Sequence, residues 1–200
     1  MARCNPTPEP ASPYYTDRQG TNEQSEISLA GKWNLIYTDA PDITGLDTSR
    51  NPFSTAQLGR IGQECNPPYI KNVIEWRRPD WAKDLPFSGS DDSRILQKVV
   101  TSASATPEKP LNVDLKVAGL ELESGDNNNC NNDGDLVSTI RNLGLPAGLL
   151  SQNPIDLKGP LNPPFGQFEI LYLDEEIRII KTGQSYLAVN RRINDGEEWF

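Results

Sequence analysis

FEILYLDEEIRIIKTGQSYLAVNR, residues 168–191, decides the fold. Strand formers fill 168–173, break at the acidic Asp174-Glu175-Glu176, resume over 177–180, break at Thr182-Gly183-Gln184 and resume over 186–189. Such a pattern is an antiparallel meander. Period-two alternation puts Phe168, Ile170 and Tyr172 on one face and Glu169, Leu171 and Leu173 on the other. Neither row is purely polar, so both faces need cover, and a closed barrel supplies it better than an open sheet lying on water.

Upstream, Gly31–Thr38 is a compact strand that starts behind a glycine and ends before Asp39-Ala40-Pro41. Further strands are expected over 59–65 and 71–76, flanking Asn66-Pro67-Pro68, where two prolines bar a helix. Another pair is expected over 94–103 and 111–123, joined by Pro107-Glu108-Lys109-Pro110. Val113, Leu115 and Val117 alternate with Asp114 and Lys116, the mark of a wall with one wet face. Residues 42–53 read as loop and 54–58 as a turn of helix. Residues 79–86 read as a loop or a short amphipathic turn presenting Trp81, either to a lipid interface or to the underside of the barrel. The asparagine-rich run 124–135 lacks the ligand spacing and closing Glu of a calcium loop and reads as a flexible insertion. Residues 136–152 suggest a strand and a helix-like lid. The expectation is a mainly β protein: an antiparallel β-barrel with short helical segments and an extended N-terminal tail.

Composition narrows the chemistry. Two hundred residues support one core, read as a Pro-rich tail over 1–26, a barrel domain over 27–192 and a C-terminal extension over 193–200. The net charge of -9 and a pI near 4.6 argue against nucleic acid as a partner, because phosphate neutralisation needs clustered Lys and Arg. Histidine is absent, which removes Ser-His-Asp and Cys-His nucleophiles, HExxH zinc sites and an imidazole base. Cys4, Cys65 and Cys130 are odd in number and far apart, fitting free thiols in a reducing compartment. No catalytic residue, metal site or obligatory cofactor is therefore expected, and the solvated carboxylates of Asp174-Glu175-Glu176 are read as a turn. The tail carries too many acids for a targeting peptide, so any transit peptide is expected to lie outside this numbering. Tyr14-Tyr15 is its one sticky point, read as exposed by chance, with a docking role as the alternative.

Gly31-x-Trp33 on the first strand and Arg191 on the last resemble the lipocalin and fatty-acid-binding pattern, in which an arginine lies over the tryptophan and closes one barrel end. An ordinary core tryptophan with an exposed arginine is the alternative. The longer match is similar to the plastid lipid-associated protein (plastid fibrillin) family. It comprises LAGKWNLIYT at 29–38, Gln63, Asn72-Val73-Ile74, and YLDEEIRI at 172–179 with Gly183 and Arg191 behind it. Lys181-Thr182-Gly183 departs from the family's more usual turn. The resemblance implies a lipocalin-like barrel at the stroma-facing thylakoid surface or the plastoglobule, binding or organising a prenyl lipid, carotenoid or fatty acid.

Two functions follow as expectations. In the first, the barrel holds an apolar small molecule or lipid in a pocket expected around Val73, Val113, Leu115, Tyr172, Arg178 and Ile179. Glu75, Glu121 or Arg178 would orient a head group there, or would simply face solvent. In the second, the chain is a structural subunit docked on a peripheral membrane site or a thylakoid protein complex.

Overall fold

The computed structural model describes residues 5–16, 27–47, 56–79, 94–124 and 166–200. Eight antiparallel strands close into one up-and-down barrel: β1 Gly31–Thr38, β2 Gln57–Asn66, β3 Tyr69–Arg77, β4 Arg94–Ser104, β5 Asn112–Ser124, β6 Gln167–Leu173, β7 Ile177–Thr182 and β8 Leu187–Ile193. The expected meander is β6 to β8. One short helix, α1 Pro41–Thr44, overlaps the start of the expected 42–53 loop, with Pro41 at its first turn. Gln57 and Leu58, expected in a turn of helix, open β2 instead. The Trp81 loop, the insertion from residue 125 onward and the 136–152 segment lie outside the described residues.

Closure is uneven. The hairpins β2–β3, β3–β4 and β4–β5 pair along most of their length. β1 pairs with β2 only from Gly31 to Asn34, and β5 with β6 only from Asn112 to Asp114. The long strands β2 to β5 thus extend beyond the shorter strands that complete the wall.

Inward rows follow from pairing, because directly opposed residues share a face. At the lower end, where β1 begins, Trp33, Cys65, Ile70, Ala103, Val113, Leu115, Phe168, Ile170, Leu173, Ile180 and Ala188 form one buried cluster. A bulge between Ile170 and Tyr172 breaks the simple alternation: Leu173 joins Phe168 and Ile170 inside, while Tyr172 turns out.

Residues 5–16, expected as an extended tail, pack on this lower end. A short 3-10 turn, Ser12–Tyr14, puts the Tyr14 ring in the cluster at 3% exposure, which overturns its expected exposure. Tyr14 O accepts from Ala105 N at 2.8 Å, Ala11 N donates to Pro110 O at 3.1 Å, and Thr7 Oγ1 donates to Leu173 O at 2.7 Å. A polar segment that could not fold alone becomes ordered because the barrel lends it an apolar surface and partners for its backbone.

Candidate functional site

The lower end is shut by one indole and two arginines. Trp33 is fully buried and its Nε1 donates to Leu29 O at 3.0 Å. Arg192 is its cross-strand partner and stacks with Cζ 4.2 Å from the ring centroid; Arg178 approaches the same ring at 4.8 Å. Arg192 also donates to the carbonyls of Ser28 (2.6 Å), Ala30 (2.8 Å) and Glu175 (2.8 Å). The expectation that Arg191 covers Trp33 is corrected. Arg191 opposes Asn34, points outward and meets Glu197 at 3.1 Å. Adjacent arginines alternate faces, and only the β1–β8 register, shifted between Leu35 and Tyr37, selects which one enters.

From this closed end a polar relay crosses the barrel. Arg178, on β7, is fully buried; its Nη2 donates to Gln63 Oε1 at 2.7 Å and its Nη1 to Cys65 Sγ at 3.3 Å. Arginine only donates, so Gln63 must present its oxygen to it and its NH2 to Asn72, whose Oδ1 accepts at 2.6 Å. The relay therefore ends on Asn72 Nδ2, which has no partner among the described residues; Arg178 Nε and Asn190 Nδ2 have none there either. Asn190 opposes Arg178 across β7–β8 and is itself buried. Burial raises the Cys65 thiol pKa, an effect that Arg178 only partly offsets, and burial lowers that of Arg178. A neutral thiol and a neutral amide are thus the partners of a buried cation, and among the described residues no carboxylate lies within ion-pair distance of it.

Toward the other end the inward rows are less buried, Ile95 excepted. On the inward rows Leu35, Ile61, Ile74, Trp76, Gln97, Val99 and Val117 are only half-buried, unlike the closed cluster below. Trp76 Nε1 donates to Gln97 Oε1 at 2.9 Å along this wall. Where β1 parts from β2, a cleft of about 470 Å³ opens, lined by Asn34, Leu35, Ile36, Gly59, Arg60, Ile61 and Arg191. Its inner wall includes Leu35, cross-strand neighbour of Asn190 and so one strand further from Arg178.

The six residues expected around a pocket are not brought together. Arg178 faces the relay, whereas Val113 and Leu115 belong to the filled cluster rather than to open space. Val73, Tyr172 and Ile179 lie on the outer face. Val73 is buried there because it opposes Gly62, over which the C-terminus folds. A Cβ on Gly62 would sit 3.0 Å from Trp199 Nε1 and 3.2 Å from a Phe200 ring carbon. Glu75 is likewise on the outer face, fully buried under Arg60, Arg77 and Arg94, and Glu121 pairs with Lys71 at 3.0 Å. Asp174, expected to be merely solvated, organises the β6–β7 turn by accepting from Ile177 N, Glu176 N and the Tyr172 hydroxyl. Of the relay, Gln63 and Asn72 entered the sequence reading only through resemblance, and Asn190 not at all. The available signal was an amide on the inward row of an otherwise apolar strand.

The geometry defines a lipocalin-like barrel, filled and sealed at one end and half-open at the other. The chain belongs to the plastid lipid-associated protein family: the PAP_fibrillin family model matches residues 16–189. No curated protein matches the chain.

Proposed function

We propose that the protein is a non-catalytic carrier that holds one apolar molecule, a prenyl lipid, carotenoid or fatty acid, against the upper inner face of β2 to β5. The carrying observation is the contrast within one barrel: apolar inward residues are closed over in the cluster around Trp33 and half-exposed along the upper rows of β2 to β5. Such a wall, wet in the free protein, gains about 25 cal/mol for each Å² of apolar surface that a ligand covers. The β1–β2 cleft is the entrance. Family membership supports the lipid and plastid setting, and the thylakoid surface or plastoglobule is the proposed site of action.

A second reading, a subunit docked on a thylakoid membrane or protein complex, draws on a different observation. Ile36, Tyr37 and Leu187 are large apolar side chains exposed at the upper end of β1 and β8, and Ile36 lines the cleft. The two readings are compatible if the lip rests on the lipid from which the ligand comes.

Titration with an apolar fluorophore tests the carrier. One equivalent should bind, and Val99→Trp, which fills the upper space, should lower uptake by about tenfold while the circular dichroism stays native. Absence of saturable binding to the native chain would overturn the carrier reading and leave the docking one.

A further inference from the structure

Resting on the carrier reading, we infer that the ligand is an acidic amphiphile: an apolar chain ending in a carboxylate that pairs with Arg178 and takes the free amide donors beside it. Neutral prenyl lipids and carotenoids would leave those groups as they are.

The argument is one of unmet demand. A buried guanidinium is retained in a protein when an anion or several good acceptors compensate its lost hydration. Arg178 has one amide oxygen and one thiol, and its Nε donates to nothing. A second cation, Arg192, shares its tryptophan and adds repulsion rather than relief. Donors are in excess: the relay's polarity is forced by arginine, so Asn72 Nδ2 at its far end is left without an acceptor among the described residues, and Asn190 Nδ2, opposite Arg178, is in the same state. Water could satisfy the amides but would not supply charge. A carboxylate supplies both, since its two oxygens accept from a guanidinium and from neighbouring N–H groups together. A head group held there would be the deepest part of the ligand, because Arg178 lies against Trp33 and Cys65 of the packed end, while the half-buried apolar rows of β2 to β5 lie further along the barrel. The anion could instead be small and free in solution, and the test separates these sources.

The probes are oleic acid, its methyl ester and sodium acetate, added to the full chain at neutral pH. Oleate is expected to bind about tenfold or more tighter than the ester, the scale of one charge-assisted hydrogen-bond pair. Acetate at the same concentration should not compete. Asn190→Asp places the missing carboxylate inside the barrel; it should abolish the preference for oleate and raise the melting temperature. Arg178→Met should abolish the preference too, and Asn190→Asp answers for it if that variant does not fold. Equal binding of acid and ester would overturn this inference and leave the carrier intact, as would competition by acetate. Failure of both oleate and ester to bind would overturn carrier and inference together.

Discussion

Gly31 has φ of +131°, a backbone region that L side chains rarely adopt, and a Cβ there would stand 2.7 Å from Arg192 Nη1. The glycine two residues before Trp33 is thus explained by the arginine, which must pass over that backbone to reach the carbonyls of Ser28 and Ala30. Neighbouring arginines then differ sharply in worth. Arg192→Met loses three hydrogen bonds to carbonyls and a stacked contact, an expected cost of about 3 kcal/mol. Arg191→Met loses a surface pair with Glu197 and should cost no more than about 0.5 kcal/mol. Urea unfolding of the two variants measures the difference, and equal costs would contradict the register. Replacing Gly31 by Ala should cost about 2 kcal/mol or more through backbone strain.

Among the elements, the N-terminal segment and the filled row of β5 carry the clearest consequences. Tyr14 closes the lower end from outside the barrel, and its ring lies with Cys65 and Ile70 in the cluster. Tyr14→Ala should therefore destabilise the whole barrel by about 3 kcal/mol, as for an aromatic residue of the core, whereas removal of a free tail would change nothing. Thermal melts of the variant decide between these outcomes. On β5, Val113 is fully buried. Val113→Trp should overpack and cost roughly 1–3 kcal/mol, while Val99→Trp on the half-open row should be tolerated. The C-terminal residues are a third packed extension. Glu198 approaches Arg94 at 3.5 Å, Lys32 stacks on Trp199, and Arg60 lies 5.6 Å from the Phe200 centroid.

For the molecule as a whole, two carboxylates among the described residues contribute to acid stability. Burial alone would raise the Glu75 pKa, but the Arg60 N–H, Arg77 and the Arg60 charge outweigh it, and the net value lies below the ordinary one. Asp174 behaves alike: burial raises it, while the Tyr172 hydroxyl and the turn N–H groups bring it below. A folded-state pKa below the unfolded one means that the folded chain binds fewer protons. Both groups therefore give full stabilisation above the ordinary carboxylate range, lost as pH falls through their depressed values. The urea midpoint should fall between about pH 6 and pH 3, and Glu75→Gln should flatten that slope.

The strands, their order and the barrel were legible in the sequence because alternation and turn chemistry are local, and they leave nearly the same boundaries whatever lies opposite. Faces were not. Tyr172 was assigned by alternation and Arg191 by resemblance, yet bulges after Leu35 and Ile170 each shift parity by one, and a one-residue slip exchanges inside for outside. Nor could composition show that a polar N-terminal segment would seal the lower end, or that Val73 would be covered by the C-terminus, since both depend on surfaces made by residues far away in the chain. The sequence by itself determined a lipocalin-like β-barrel without histidine chemistry. Only the tertiary structure decided that Arg192 closes it and that Arg178 stands buried among neutral partners, because register and burial are properties of strand pairs and not of any one strand.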